Sequence, residues 1–374
     1  MSIPGIRGVL PSAADSPGEL VTRAIVRDVD LGPGVGLLAL ITLDNGHDHT
    51  KPNTFGPQGL LSLNVALDTV AARAAAGEIA AVGLTGKPFI LAAGADLDAG
   101  AAALAAAGPD SGAARERALG IASLGHAVFR RLGELPVPSF GFINGVALGG
   151  GLEIALHCTY RTISSGVPMV AFPECFLGIV PGWGGAYLLP RLIGPAPALK
   201  LIIENPLSQN KMLRGPEAFE LGIADAMFEP ADFLEESLRW AASVLSGAVT
   251  LARPVGPEAA PAGTEEEWTQ AVAAARFFTD GKLHGAAPAP YRALDLVAAA
   301  RTASRDEGFA AEDEALTDLM LSDEFRAGLY AFDLVQKRAR KPAGAPDKSL
   351  ARPVTKVGVV GAGLMAAQIA LLFV

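Results

Sequence analysis

The sequence predicts an α/β protein built around a buried sheet, and three observations carry that prediction. Short apolar runs, such as residues 35–43 and 140–143, are bounded by glycine and proline and are too short to span a bilayer. Longer alanine- and leucine-rich stretches with helical spacing fall between them, so that strand, strand, helix recurs. Glycine clusters, above all Gly149-Gly150-Gly151, stand where an apolar run gives way to a helical one.

Composition narrows the classes. A chain of 374 residues is long for one domain, so two units are expected, and its 50% hydrophobic content suffices for a large core. A net charge of −9 argues against general affinity for nucleic acid or anionic lipid. The N-terminus lacks a charged-then-apolar signal pattern, and integral membrane association is not expected. Cys158 and Cys175 provide no disulfide framework; both lie in apolar surroundings and read as buried thiols of a cytoplasmic protein.

Taken in order, residues 1–18 are rich in proline, glycine and serine and read as a flexible arm. Residues 21–29 and 35–43 are strands split by the turn Gly32-Pro33-Gly34. The polar loop 44–53 holds His47-Asp48-His49; with no third ligand at metal-site spacing it reads as a solvated loop, and no metal is expected. A helix over 59–76 precedes strands at 79–84 and 89–92, and a helix over 113–131 precedes an extended run at 137–143. Residues 195–204, 216–221 and 232–245 read as helices, with a last strand at 225–228. The proline-rich stretch 251–263 connects layers, and helices at about 264–278, 291–306 and 311–339 follow.

The chemistry concentrates between Asn144 and Gly185. Glycines at a strand-to-helix junction let a ligand approach bare backbone, and the first N–H groups of the helix have no partner inside it. With the helix dipole, such a junction suits an oxygen that gains negative charge during a reaction. Glu153 stands one turn into that helix; a first-turn glutamate favoured by the dipole is the bland explanation. Glu174 follows the apolar run 169–172 and Pro173, and a surface acid is its bland explanation. Held close together, two such acids cannot both ionise cheaply, so one is pushed towards its protonated form near neutral pH. Trp183, in the glycine-rich run 178–185, lines a pocket or packs in the core. His126 and His157 lie in apolar helical patterns and read as packed side chains that the chemistry does not require.

Residues 144–153 and 173–185 resemble the signatures of the enoyl-CoA hydratase (crotonase) superfamily, and residues 91–96 resemble its other oxyanion segment. The resemblance covers nearly all of the chain after about residue 20. It implies a crotonase spiral of ββα repeats, followed by a helical linker and the first β-turn-α of a Rossmann domain. It further implies that the Ala95 and Gly150 N–H groups hold a thioester oxygen, that Glu153 orients or deprotonates water, and that Glu174 exchanges the proton at carbon 2. Asp333 matches a position the family places near substrate, though a solvated acid explains it as well. The interval from Glu153 to Glu174 is about one residue longer than the family's, and the turn 164–168 is where the extra residue is expected.

Near the end, residues 356–360 read as a parallel strand, and Gly361, Gly363, Met365 and Ala366 fall in a dinucleotide fingerprint with alanine at the third glycine position. The run resembles the opening of the 3-hydroxyacyl-CoA dehydrogenase region in the multifunctional α-subunits of fatty-acid oxidation complexes. The expected organisation is an arm at 1–18, a hydratase domain at 19–262, a helical region and linker helix at 263–340, a linker at 341–355, and the start of an NAD-binding domain at 356–374. The sequence ends inside that domain's first helix, and a piece of a longer protein is expected. The resemblance implies an acyl-CoA substrate, a thiolase partner, no cofactor for hydration, and NAD for the dehydrogenase part. Two other functions stay open: an enoyl-CoA isomerase, and a non-catalytic acyl-CoA-binding or thiolase-docking subunit.

Overall fold

The computed structural model describes residues 19–97, 100, 112–256, 259–335, 339 and 344–373. The arm at 1–18 lies outside the described residues, as do 336–338, 340–343 and 374 at the C-terminal boundaries. The chain divides into two units between Leu329 and Tyr330.

The first unit contains two sheets. The larger has the order β1 (Arg23–Asp30), β2 (Leu37–Asp44), β3 (Ala81–Gly86), β5 (Ser139–Ile143), β7 (Tyr160–Ser164), β9 (Ala226–Phe228); β1 is antiparallel to β2 and every other pair is parallel. The smaller sheet has the order β4 (Phe89–Ala92), β6 (Gly145–Leu148), β8 (Val170–Ala171), all parallel. Sequence explains the division of labour. β2 reads as a nearly continuous apolar run and is covered on both faces, whereas β1 alternates and forms the edge. Leu38, Leu40, Phe140 and Phe142 pack against Phe233 and Ala241 of a helix over Phe233–Leu245. Each fully buried side chain of that size contributes about 1.5–3 kcal/mol.

The strand, strand, helix recurrence is present: β3–β4 leads to the helix Gly112–Phe129, β5–β6 to Gly150–Leu156, and β7–β8 to Glu174–Leu177. Each pair sends one strand into each sheet. The β5–β6 passage is a single residue, Asn144. Its side-chain carbonyl accepts from Gly86 N–H at 3.1 Å, and its amide nitrogen donates to the Gly86 and Lys87 carbonyls at 3.1 and 2.8 Å. Gly86 and Gly145 are obligatory at this corner, because a Cβ on Gly86 would run into the backbone of Ile90 and Leu91, and one on Gly145 into that of Phe89 and Ile90. The strands β6 and β7 are absent from the sequence reading, which merged 144–148 into a glycine turn.

The helical part also departs from expectation. Instead of helices over 291–306 and 311–339, the chain forms Pro288–Ala300, Arg305–Met320 and Asp323–Asp333. The break has a local cause: Ser304 accepts from Glu307 N–H while Glu307 accepts from Ser304 N–H, a capping box that starts a new helix.

In the second unit, a helix spans Leu364–Leu371 after Gly363, but residues 356–362 form no strand. This corrects the expected parallel strand. A strand exists only when paired, and no described segment pairs with Val357, Val359 or Val360, all of which are exposed.

Candidate active site

The three parallel strands of the small sheet end on one edge, and each delivers part of the site. β4 leads to Gly94 and Ala95, β6 to Gly149, Gly150 and Glu153, and β8 to Glu174. The first two segments touch: a Cβ built on Gly94 would lie 3.6 Å from the Gly150 nitrogen and 3.3 Å from the Leu148 carbonyl oxygen. Phe55 fixes the first segment by accepting from Asp96 N–H at 3.0 Å and donating to the Gly94 carbonyl at 2.9 Å. The N–H groups of Ala95 and Gly150 donate to no acceptor among the described residues. Gly149 has φ 50° and ψ −124°, a conformation that side chains resist, and it opens the helix Gly150–Leu156.

Glu153 is 2% exposed, and its Oε1 accepts from Trp183 N–H at 2.7 Å and Gly185 N–H at 2.8 Å. Burial pushes its pKa up to about 7; the nearby Glu312 carboxylate adds to the rise, while the two amides and His126 oppose it. Glu174, 8% exposed, is pushed well above the carboxylate range by burial and then by Glu153. Its Oε1 lies against the α-carbon of Gly149, and its Oε2 is a buried oxygen with no hydrogen-bond partner among the described residues. Two acids from separate segments thus converge, with their proton affinities raised together. The 164–168 turn, closed by Val167 N–H on the Ser164 carbonyl at 3.1 Å, leaves Glu174 in reach of the site despite the longer interval.

Trp183 packs in the core: its indole N–H donates to Ile121 at 3.2 Å, and its ring meets Phe55 and Phe129 edge-on and covers Gly150. His157 donates from Nε2 to the Trp183 carbonyl at 2.9 Å, and burial pushes its pKa down to about 3, so it stays neutral. Sequence reasoning missed Glu312. It lies in the helix Arg305–Met320, is 0% exposed, and accepts from Gly184 and Tyr187 N–H groups at 2.6 Å each. The readable signal was its place on the apolar stripe Phe309, Glu312, Leu316, Leu319. Lys87, also missed, is buried with its ammonium donating to Asn45 Oδ1 and to the carbonyls of His47, Asp48 and Lys51 at 2.6–3.0 Å. It ties down the histidine-bearing loop. A cavity of about 300 Å³ opens at the far end of the Gly150–Leu156 helix, between Cys158, Arg161, Arg191 and Arg253, and none of the expected site residues lines it.

Asp333 ends its helix in the second unit, with the fingerprint residues Gly361, Gly363, Met365 and Ala366. Gly361 has φ 125° and Gly363 caps the following helix, so the turn and helix that would face a pyrophosphate are formed. The strand behind them is not, and these residues alone do not fit a dinucleotide. No helix of the described residues is long and apolar enough to cross a membrane.

Comparison with known proteins agrees with this geometry. The sequence profile of the enoyl-CoA hydratase/isomerase family matches residues 36–284. The chain is 32% identical over 305 residues to the fatty acid oxidation complex subunit alpha of Shewanella loihica, covering 80% of this chain and 40% of that one. It is 34% identical over 252 residues to the same-named subunit of Vibrio cholerae, covering 67% and 34%. The chain therefore spans well under half the length of these relatives. Among solved structures, enoyl-CoA hydratase from Bacillus halodurans superposes with a TM-score of 0.54 at 20% identity, over 82% of this chain and 99% of that one. That from Mycobacterium avium subsp. paratuberculosis gives 0.53 at 18%, over 84% and 96%. At such identities the likeness establishes the fold.

Proposed function

This chain belongs to the enoyl-CoA hydratase/isomerase family, and from that premise we propose that it adds water across the 2,3-double bond of a 2-enoyl-CoA thioester to give the 3-hydroxyacyl thioester. The observation that carries the reading is the convergence of two buried acids, Glu153 and Glu174, on the glycine junction Gly149–Gly150. Water donates a proton to Glu153 as its oxygen bonds to carbon 3. The alkene electrons move towards the thioester, whose oxygen takes negative charge and is held by the Ala95 and Gly150 N–H groups. Protonated Glu174 then delivers a proton to carbon 2. Such an amide donor is typically worth about 10²–10³ in rate, and a general acid or base about 10²–10⁴. Water addition to an enoyl thioester needs no cofactor.

Two acids favour hydration over isomerisation, which moves one proton between carbons 2 and 4. Crotonyl-CoA should lose its conjugated thioester absorbance on incubation with the protein, without NAD. Glu174→Gln should abolish this loss while the circular dichroism spectrum is retained; an unaltered rate would remove the assignment. Assay of a 3-enoyl-CoA in parallel separates the isomerase reading, and tight acyl-CoA binding without turnover would favour the non-catalytic one.

The relatives' name, fatty acid oxidation complex subunit alpha, supports a wider setting, the hydratase part of a fatty-acid oxidation complex; to it we add, as our own extension, a thiolase chain as partner and a cytoplasmic location. In that setting the fingerprint at 361–366 opens a dehydrogenase domain that binds NAD.

A further inference from the structure

We propose that Glu312, held by His126, is a positioning residue that sets the charge state of Glu153 through an amide turn the two carboxylates share. This rests on the reading of Glu153 as the base in hydration. The turn begins the helix Gly185–Ile193, and its N–H groups are divided in alternation. Those of Trp183 and Gly185 go to Glu153, and those of Gly184 and Tyr187 go to Glu312. Moving one carboxylate therefore moves the donors of the other. Glu312 cannot swing away, because both of its oxygens are engaged and it is fully buried.

His126 fixes the charge. Its Nε2 lies 3.0 Å from Glu312 Oε2 and its Nδ1 2.7 Å from Asp313 Oδ1. An imidazole whose two nitrogens both face carboxylates carries both protons, so it is an imidazolium at neutral pH. Its ring stacks on Phe309 at 4.3 Å, which holds it in that plane. The other groups around the turn do not duplicate this role. Glu174 faces Glu153 from the β8 side, and His157 is neutral. Arg130 is paired with Glu134 and Asp306, and Arg305 with Glu134. Glu312 Oε2 bridges His126 Nε2 and the Gly184 N–H, so Glu312 meets the turn directly and His126 meets it through Glu312. The effect of Glu312 on the base is net proton retention, in the direction of the raised Glu153 pKa.

The test is the acid limb of kcat for crotonyl-CoA hydration in Glu312→Gln and in the double variant Glu312→Gln/His126→Gln. The second removes both buried charges together, and the partner it leaves, Asp313, is partly exposed to solvent. The acid limb is expected to move to lower pH by about one in the single variant, and by less, in the same direction, in the double. KM should change little. A purely structural part for Glu312 would lower stability or rate without moving the limb. A limb at or above its wild-type position in either folded variant overturns the inference. An infrared titration of the Glu153 carboxyl, identified by its loss in Glu153→Gln, reads the same displacement without substrate. If the wild type does not hydrate crotonyl-CoA, the proposed function fails while this titration still decides the inference.

Discussion

Gly149 offers the sharpest test of the site's geometry. A methyl group added there would stand 2.2 Å from Glu174 Oε1 and 3.2 Å from its carboxyl carbon. A carbon–oxygen contact relaxes only beyond about 3.2 Å, so the carboxyl must retreat by about 1 Å. The backbone cannot give instead, because φ 50° with ψ −124° already lies outside the regions an alanine prefers. Holding alanine there costs about 1–3 kcal/mol. Displacing a catalytic group by about 1 Å lowers rate on the order of 10²-fold. Gly149→Ala should therefore lose about 10² in kcat for crotonyl-CoA hydration, with melting lowered by only a few degrees per kcal/mol of strain. Stopped absorbance assays beside a thermal melt separate the two effects. A folded Gly149→Ala protein that works within twofold of the wild type would show that Glu174 does not act from where it stands.

Three further outcomes follow from the geometry. His126 has its pKa raised from 6.5 to about 9, so the stability it contributes is full below about pH 6.5 and is lost as pH rises through about 9. At about 1.4 kcal/mol per tenfold change in proton affinity this amounts to roughly 3 kcal/mol; the urea-stability gap between wild type and His126→Gln should narrow by that order from pH 6 to pH 10, and a constant gap would contradict it. Lys87→Met should destabilise the protein by roughly 2–4 kcal/mol in urea unfolding, since three carbonyls and Asn45 Oδ1 lose their shared donor in a buried place; a change under about 0.5 kcal/mol would mean that water replaces the ammonium freely. Asn144→Ala removes three hydrogen bonds at the sheet corner and should cost about 1–3 kcal/mol together with a drop in hydration rate. Stability lost with the rate untouched would detach the corner from the chemistry.

The site was legible because its parts are local. Gly149–Gly151 announces a backbone that something approaches, and Glu153 lies two residues beyond that turn. Glu174 was found the same way, next to a proline and another glycine run. Glu312 was not, because its importance comes from a contact 128 residues away with Gly184. In sequence it is one acid in the stretch Glu312-Asp313-Glu314, and only its helical phase against Phe309 and Leu316 sets it apart. The corner at Asn144 was hidden for a different reason: Asn144-Gly145 and Gly149–Gly151 bracket only three residues, so the short strand between them reads as part of one glycine-rich turn. The helix boundary at Ser304 could have been read from the Ser304–Glu307 pair and was masked by continuous helix propensity around it. For residues 356–360 the strand pattern is present, but its pairing partners are not among the described residues.

The one-residue joint at Asn144 makes the large sheet a ruler for the small one. Phe140 is matched to Tyr160, and Ile143 to Ile163, only a few positions before Ala147 is matched to Val170 across the other sheet. No slack separates the two scales, so a slip of β5 along its neighbours would drag Gly149 and Glu153 past Glu174 by the same step. The alignment of the proposed acids is thus set by pairings such as Phe140 with Tyr160, in the other sheet. Substitutions along that distant ladder should surface first as lost turnover, before any loss of folding.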